Sequence, residues 1–307
     1  MNRHLKSVVT ASLTAGGVLF FCVAVVAPRL PEVVGRADAQ FKKTFEWPAV
    51  RLLRIRNRNG IVRVSTHDEP GMKAVASVRL YAVGDAEAEA VGAYADTLLV
   101  VEQAEDGSVL EVVSEPLERP DAVDVFVDYG VYVPVGTDLR IENENGNVTV
   151  YEGCGRVEVR GGNMDLTVHH PQGKVVAESL NGRIRVFDAA DGADLKTVNG
   201  NIYANMLKGA LRADTTNGVV SVRVMRPDAE RCHAKTQNGD IRLYLCEGYS
   251  TSLDAKTEYG TVRANVAIDT SAGVKRRRQL RGAVLDGRGS VTMSTLNGDI
   301  WISGSKS

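Results

Sequence analysis

Four acidic side chains are where catalysis in this chain would have to begin. Asp165, Asp240, Asp299 and Glu158 fall in segments of alternating polarity and would project from a sheet surface. Sugar-cleaving enzymes use two carboxylates about 5 to 10 Å apart, one of them as acid. Nothing in the sequence places two of these acids together, and scattered exposed acids are the norm. Tyr203 and Trp301 share the outward parity and could stack on sugar rings; Trp301 could equally be covered by the chain end. The histidines are His4, His67, His169, His170 and His233. His169 and His170 are adjacent, and neighbours on a strand point to opposite faces, so they are poorly placed to share a metal. Among Cys22, Cys154, Cys232 and Cys246 there is no CxxC pair or zinc spacing. A Cys232–Cys246 disulfide stays open in an oxidising compartment. Nucleotide loops and a nucleophile elbow are absent. The sequence therefore assigns no catalytic residue, no cofactor site and no metal site.

The elements that would carry these residues announce themselves through Asn-Gly dipeptides at Asn59, Asn145, Asn181, Asn199, Asn217, Asn238 and Asn297. Gly161-Gly162 and Tyr259-Gly260 fill the gaps as degenerate copies, giving a period near twenty residues. Two and four residues after each glycine the chain is apolar, as at Ile184 and Val186 or Ile241 and Leu243, with a mostly polar residue between. That alternation marks a half-buried strand. Two residues before the Asn stand Ser179, Thr197, Thr215, Thr236, Thr257 and Thr295. No base recurs beside these hydroxyls, so they predict a hydrogen-bond ladder at a tight corner, not a row of nucleophiles. Asn-Gly suits positive φ and also a two-residue hairpin. In-register columns on both sides of the turn favour stacking of like upon like. The prediction is an all-β fold: a right-handed parallel β-solenoid of about nine rungs over 138–307.

Residues 49–137 predict the first rung and a β-rich cap. The cap holds one helix over 86–97, starting after the N-cap candidate Asp85, then a hairpin around Asp106-Gly107 and the alternating run VDVFVDYGVYVP. Upstream, Arg3 and Lys6 precede an uncharged apolar run ending at Ala27, long enough to cross a bilayer with the N-terminus in the cytoplasm. Residues 1–27 thus predict a signal anchor in a bacterial inner membrane, with the remainder in the periplasm or outside. Cleavage of a signal peptide, which would leave the protein periplasmic or secreted, is the alternative. Residues 28–48, with Pro28, Pro31 and Pro48, predict a tether.

The chain has 307 residues, 44% of them apolar and 6% aromatic, and 30 glycines, more than an ordinary domain carries. A net charge of −1 argues against general polyanion or nucleic-acid binding. One local exception is Lys275, Arg276, Arg277, Arg278 and Arg281 in the 38-residue step near the C-terminus. This run suits either contact with anionic lipid, lipopolysaccharide or cell-wall polymer, or a solvated loop.

Strands ending in Thr-x-Asn-Gly-Asp/Asn-Ile, the interruption after the first repeat and the closing GRGSVTMSTLNGDIWISG together resemble the bacterial putative-adhesin family, DUF4097, from about residue 50 onward. The resemblance implies an exported or membrane-tethered β-solenoid without an agreed enzymatic activity, and supplies no catalytic residues. Three functions follow as expectations. The first is a non-catalytic envelope scaffold or adhesin-like protein binding an envelope component or a membrane protein. The others are an envelope-stress sensor and a carbohydrate-active enzyme on a β-helix.

Overall fold

The computed structural model describes residues 38–82, 99–114, 123–227 and 229–304, and every regular element there is a strand. The expected anchor at 1–27 and the expected helix at 86–97 lie outside these residues. Among the described residues no helix is long and apolar enough to cross a membrane. The chain divides into two compact units between Asn147 and Val148.

In the first unit the strands are β1 (Asp38–Trp47), β2 (Leu52–Asn59), β3 (Val62–His67), β4 (Met72–Ala82), β5 (Val100–Gln103), β6 (Val109–Val113), β7 (Val123–Pro134) and β8 (Asp138–Val150), the last of which continues past the division. β1 corrects the expected tether. Phe45 is buried while Thr44 and Glu46 are exposed, and the strand pairs antiparallel with β4 along its whole length. The prolines of the expected tether, Pro28, Pro31 and Pro48, lie outside the strand, so none interrupts the ladder. The expected hairpin is present as β5 and β6, turning at Gly107 with φ +70°, where Asp106 accepts a bond from the Ser108 N–H. β6 and β8 both run parallel to β2, and β7 runs parallel to β3. The first Asn-Gly rung therefore lies inside its unit. Antiparallel strands, β5 on β6 and β4 on β7, close that side.

In the second unit the strands are β9 (Val157–His169), β10 (Val175–Asn181), β11 (Ile184–Ala189), β12 (Ala193–Asn199), β13 (Ile202–Met206), β14 (Ala210–Asn217), β15 (Val220–Val224), β16 (Arg231–Asn238), β17 (Ile241–Leu245), β18 (Thr251–Thr257), β19 (Val262–Ala264), β20 (Asp269–Arg276), β21 (Gln279–Val284), β22 (Gly289–Asn297) and β23 (Ile300–Gly304). Each rung is two legs joined at a tight corner, Asn-Gly in most of them, and like legs pair parallel and in register from rung to rung. The unit is all-β and solenoid-like. Its interior is built from the period-two aliphatics: Ala177, Leu195, Ala213 and Ala234 on the first legs, Ile184, Ile202, Val220 and Ile241 on the second, all nearly inaccessible. Cys232 joins this interior, where burial pushes its thiol up to about 12. It is not disulfide-bonded to Cys246.

The corner repeats one set of contacts. Thr215 Oγ1 donates to the Gly200 carbonyl at 3.0 Å, Thr236 to Gly218 at 3.0 Å and Thr295 to Gly239 at 2.9 Å. Outside them runs an asparagine ladder, each side-chain amide donating to the Asn oxygen of the rung before, from Asn181 on Asn163 to Asn297 on Asn238, at 2.7–2.8 Å. Gly200 has no positive φ; what it lacks is room. A Cβ on it would overlap the carbonyl oxygen of Gly182, and the same overlap recurs at Gly218, Gly239 and Gly298. The expectation that φ selects these glycines is thus corrected at Gly200: backbone stacks directly on its Cα.

Two further differences concern register and order. Asn163, not Gly161, pairs with Asn181, so the true corner of that rung is Asn163-Met164. A two-residue shift preserves inward and outward parity, which is why periodicity could not reveal it. The final rung, β22 and β23, inserts between the β16/β17 rung and the β18/β19 rung. Asn297 thereby extends the ladder, and the rung carrying Tyr259 in place of Asn is sent to the outside. β21 then pairs antiparallel with β18, ending the parallel stack and shielding that edge.

Candidate functional site

The second-leg sheet of the second unit turns its polar parity outward, and register lines those residues into columns. One column reads Arg185, Tyr203, Ser221, Arg242, Trp301 and Arg263. A neighbouring one carries Asn205, Arg223 and Tyr244. Tyr203 and Trp301, singled out by their parity, therefore share a column three strand spacings apart, about 14 Å. They are 39% and 40% exposed. The guanidinium of Arg263 lies 4.5 Å from the Trp301 ring centroid, and that of Arg223 lies 5.5 Å from Tyr244. Tyr151, His169 and Phe187 extend the aromatic series by stacking, with centroids 6.0 and 5.0 Å apart. A shallow depression of about 500 Å³ lies between Arg185, Phe187, Tyr203, Arg223 and Tyr244.

Charge is distributed unequally between the two outer faces. On the first-leg sheet cations meet acids: Arg212 with Asp214 at 2.7 Å, Arg160 with Glu158 at 3.2 Å, Arg281 with Asp254 at 2.6 Å. On the second-leg sheet no described carboxylate lies within ion-pair distance of Arg185, Arg223 or Arg263. Acids there keep to the corner, where Asp240 pairs with Arg242 at 3.7 Å and Asp165 with Arg183 at 2.7 Å, and they also serve the backbone. Asp165 accepts from the Arg183 N–H at 2.7 Å, Asp240 from the Asp299 N–H at 2.9 Å, and Asp299 from the Thr261 N–H and hydroxyl at 2.8 and 2.9 Å. Burial alone would raise the Asp165 carboxyl, but the Arg183 N–H and guanidinium hold it below the usual range.

Asp299 is also held below its ordinary value, first by the Thr261 hydroxyl and N–H and then by Arg263 and Arg277. Because the folded value is depressed, its stabilisation is present above the unfolded value of about 4 and lost as pH falls through the folded one. Asp299→Asn is therefore expected to flatten the fall of the melting temperature between about pH 5 and pH 2. Parallel curves for the two proteins would refute the assignment.

The basic run is an ordered hairpin instead of a loop, and Lys275, Arg276, Arg277 and Arg278 are exposed on it. Lys275 and Arg276 end β20, Arg277 and Arg278 form the turn, and Arg281 on β21 is spent on Asp254. The backbone carbonyls of Arg277 and Arg278 accept from Val262 and Thr257, pinning the turn beside Arg263. His169 lies in the aromatic stack, while His170, at φ 43°, sits 3.2 Å from Asp188. No group of three or more metal-ligating side chains occurs among the described residues. Arg223 and Tyr244 were missed by sequence reasoning, although aligning the residues three positions after Ile202, Val220 and Ile241 on neighbouring rungs would have exposed them.

The family model described as Toastrack DUF4097 matches residues 127–303. Among curated proteins none matches. Among solved structures the chain is similar to a putative adhesin of Bacteroides fragilis, at 11% identity and TM-score 0.46, covering 87% of this chain and 97% of that one. A putative adhesin of Parabacteroides distasonis is similar at 10% identity and TM-score 0.40, with the same coverage. A putative lipid binding protein of Parabacteroides distasonis is similar at 10% identity and TM-score 0.37, again covering 87% of this chain and 97% of that one.

Proposed function

This chain belongs to the Toastrack DUF4097 family, and from that premise we propose that it is a non-catalytic, adhesin-like binding protein of the bacterial envelope. Its apolar N-terminal segment exports it and holds it at the membrane. Its contact surface is the outer face of the second-leg sheet.

One observation carries this reading: Arg223 and Arg263 stand over rings on an open sheet surface, with no carboxylate within ion-pair distance among the described residues. A surface that repeats one chemistry at every strand spacing suits adhesion better than a single reaction at a single point. The acids on this face point the same way. A general acid needs a raised pKa, whereas Asp165 and Asp299 are depressed and committed to backbone N–H groups.

The test is retention. Full-length protein in mild detergent, incubated with fractionated cell envelopes, is expected to be held by one fraction and to release no sugar from it. Indifference to every fraction would sink the reading.

A further inference from the structure

We infer that the arginine and aromatic face binds a linear acidic polysaccharide, a polymer of uronic acids, laid along the columns and across the strands. This rests on the reading of that face as the contact surface, and it names the ligand.

Periodicity comes first. The first column presents Arg185, Tyr203, Ser221, Arg242, Trp301 and Arg263 at strand spacings of about 4.8 Å, with Arg242 paired to Asp240 at 3.7 Å. A pyranose unit is about as long as one such step, so a polymer of identical charged sugars meets similar chemistry at each rung. Charge comes second. Two guanidiniums on the face, Arg223 and Arg263, stand over rings with no described carboxylate within ion-pair distance, and the guanidinium fork matches a carboxylate with two parallel hydrogen bonds. The net charge of −1 gives the whole molecule no attraction to polyanions, so recognition must come from this local surface.

The remaining groups suit a sugar. Tyr203 and Trp301 offer partly exposed faces to the C–H sides of pyranose rings. Asn205 and Ser221 line the depression beside Tyr203 and give neutral donors and acceptors for hydroxyls. The basic turn at Arg277 lies at the Arg263 end, where it would extend the positive track. A bilayer would find no protruding aliphatic surface here to bury. A nucleic acid strand would engage the same rings and guanidiniums but brings phosphates in place of carboxylates, a difference the oligonucleotide in the experiment reads.

The experiment uses full-length protein in mild detergent and measures affinity for oligogalacturonate, its methyl ester, polyglutamate, a single-stranded oligonucleotide and phosphatidylglycerol vesicles. Oligogalacturonate is expected to bind, with the methyl ester at least about tenfold weaker because only the charge is removed. Arg223→Gln and Trp301→Ala are each expected to weaken binding about tenfold while leaving the melting temperature unchanged. Polyglutamate binding as tightly as oligogalacturonate would overturn the proposal, since charge without rings would then suffice. So would tighter binding of the oligonucleotide or the vesicles, or full affinity in both variants. If oligogalacturonate fails while an envelope fraction still retains the protein and releases Trp301→Ala, the ligand class is wrong and the surface right. If retention fails as well, both readings fall.

Discussion

Gly200→Ala is expected to cost the second unit at least about 3 kcal/mol, the upper end of overpacking penalties, and to leave much of that unit unfolded at moderate temperature. The methyl group would enter the space of the Gly182 carbonyl, with Thr197 Oγ1 close on another side. Both walls are fixed. Gly182 donates its N–H to the Asn199 carbonyl and Gly200 donates to that of Asn217, so relief would break the corner ladder on two rungs. Gly248→Ala is the control in the same unit. Gly248 has φ +75° but meets only a Pro227 carbon at 3.9 Å, so the expected cost there is backbone strain of about 1–2 kcal/mol. Denaturant midpoints of the two variants separate the explanations. Equal shifts would mean that conformation, not stacking, selects the corner glycines.

That contrast explains why Asn-Gly recurs without a single hairpin of the type the dipeptide favours. Glycine lets the next rung's backbone approach, and asparagine gives a side-chain amide that donates to one rung and accepts from the next. Both requirements act between rungs, so identical residues recur in register. Position-by-position comparison could therefore recover the Ile184, Ile202, Val220 and Ile241 column and the threonine ladder directly from the sequence.

What stayed hidden depends on information that local patterns lack. The shift from Gly161 to Asn163 is invisible because parity repeats every two residues. β1 hides because a strand on an antiparallel edge needs few apolar residues, and among the described side chains on that parity only Phe45 is buried outright. Spatial order is hidden for a different reason. The step from Asn238 to Asn297 spans 59 residues in sequence but one hydrogen bond in space, and only the missing Asn at Tyr259 hints at it. The candidate face was half legible. Tyr203 and Trp301 stood out by type and parity, but their relation to Arg223 and Tyr244 required the pairing of β13, β15, β17 and β23.

The inserted rung carries the second large prediction. Ending the chain after Asp286 removes β22 and β23, and with them the buried Val291, Met293, Ile300 and Ile302. Burying four such side chains is worth on the order of 10 kcal/mol, comparable to the whole stability of a domain. In a stack ordered by sequence, this deletion would trim one end and spare the rest. Here it removes a rung between β16/β17 and β18/β19, so residues 251–284 lose the strands they dock on while remaining in the chain. Direct closure of β18 onto β16 would place Tyr259 where Asn297 extends the ladder, so the gap has no equivalent filling. Hydrogen exchange should accordingly show fast amides throughout 251–284, with protection kept over 157–224. In the intact chain, refolding should not protect β18 before β22, because β22 is the parallel partner on which β18 docks while β22 itself docks on β16. Slow exchange over 251–284 in the truncated protein would mean that those strands pack on β16 and β17 unaided, and the inserted order would have no energetic consequence.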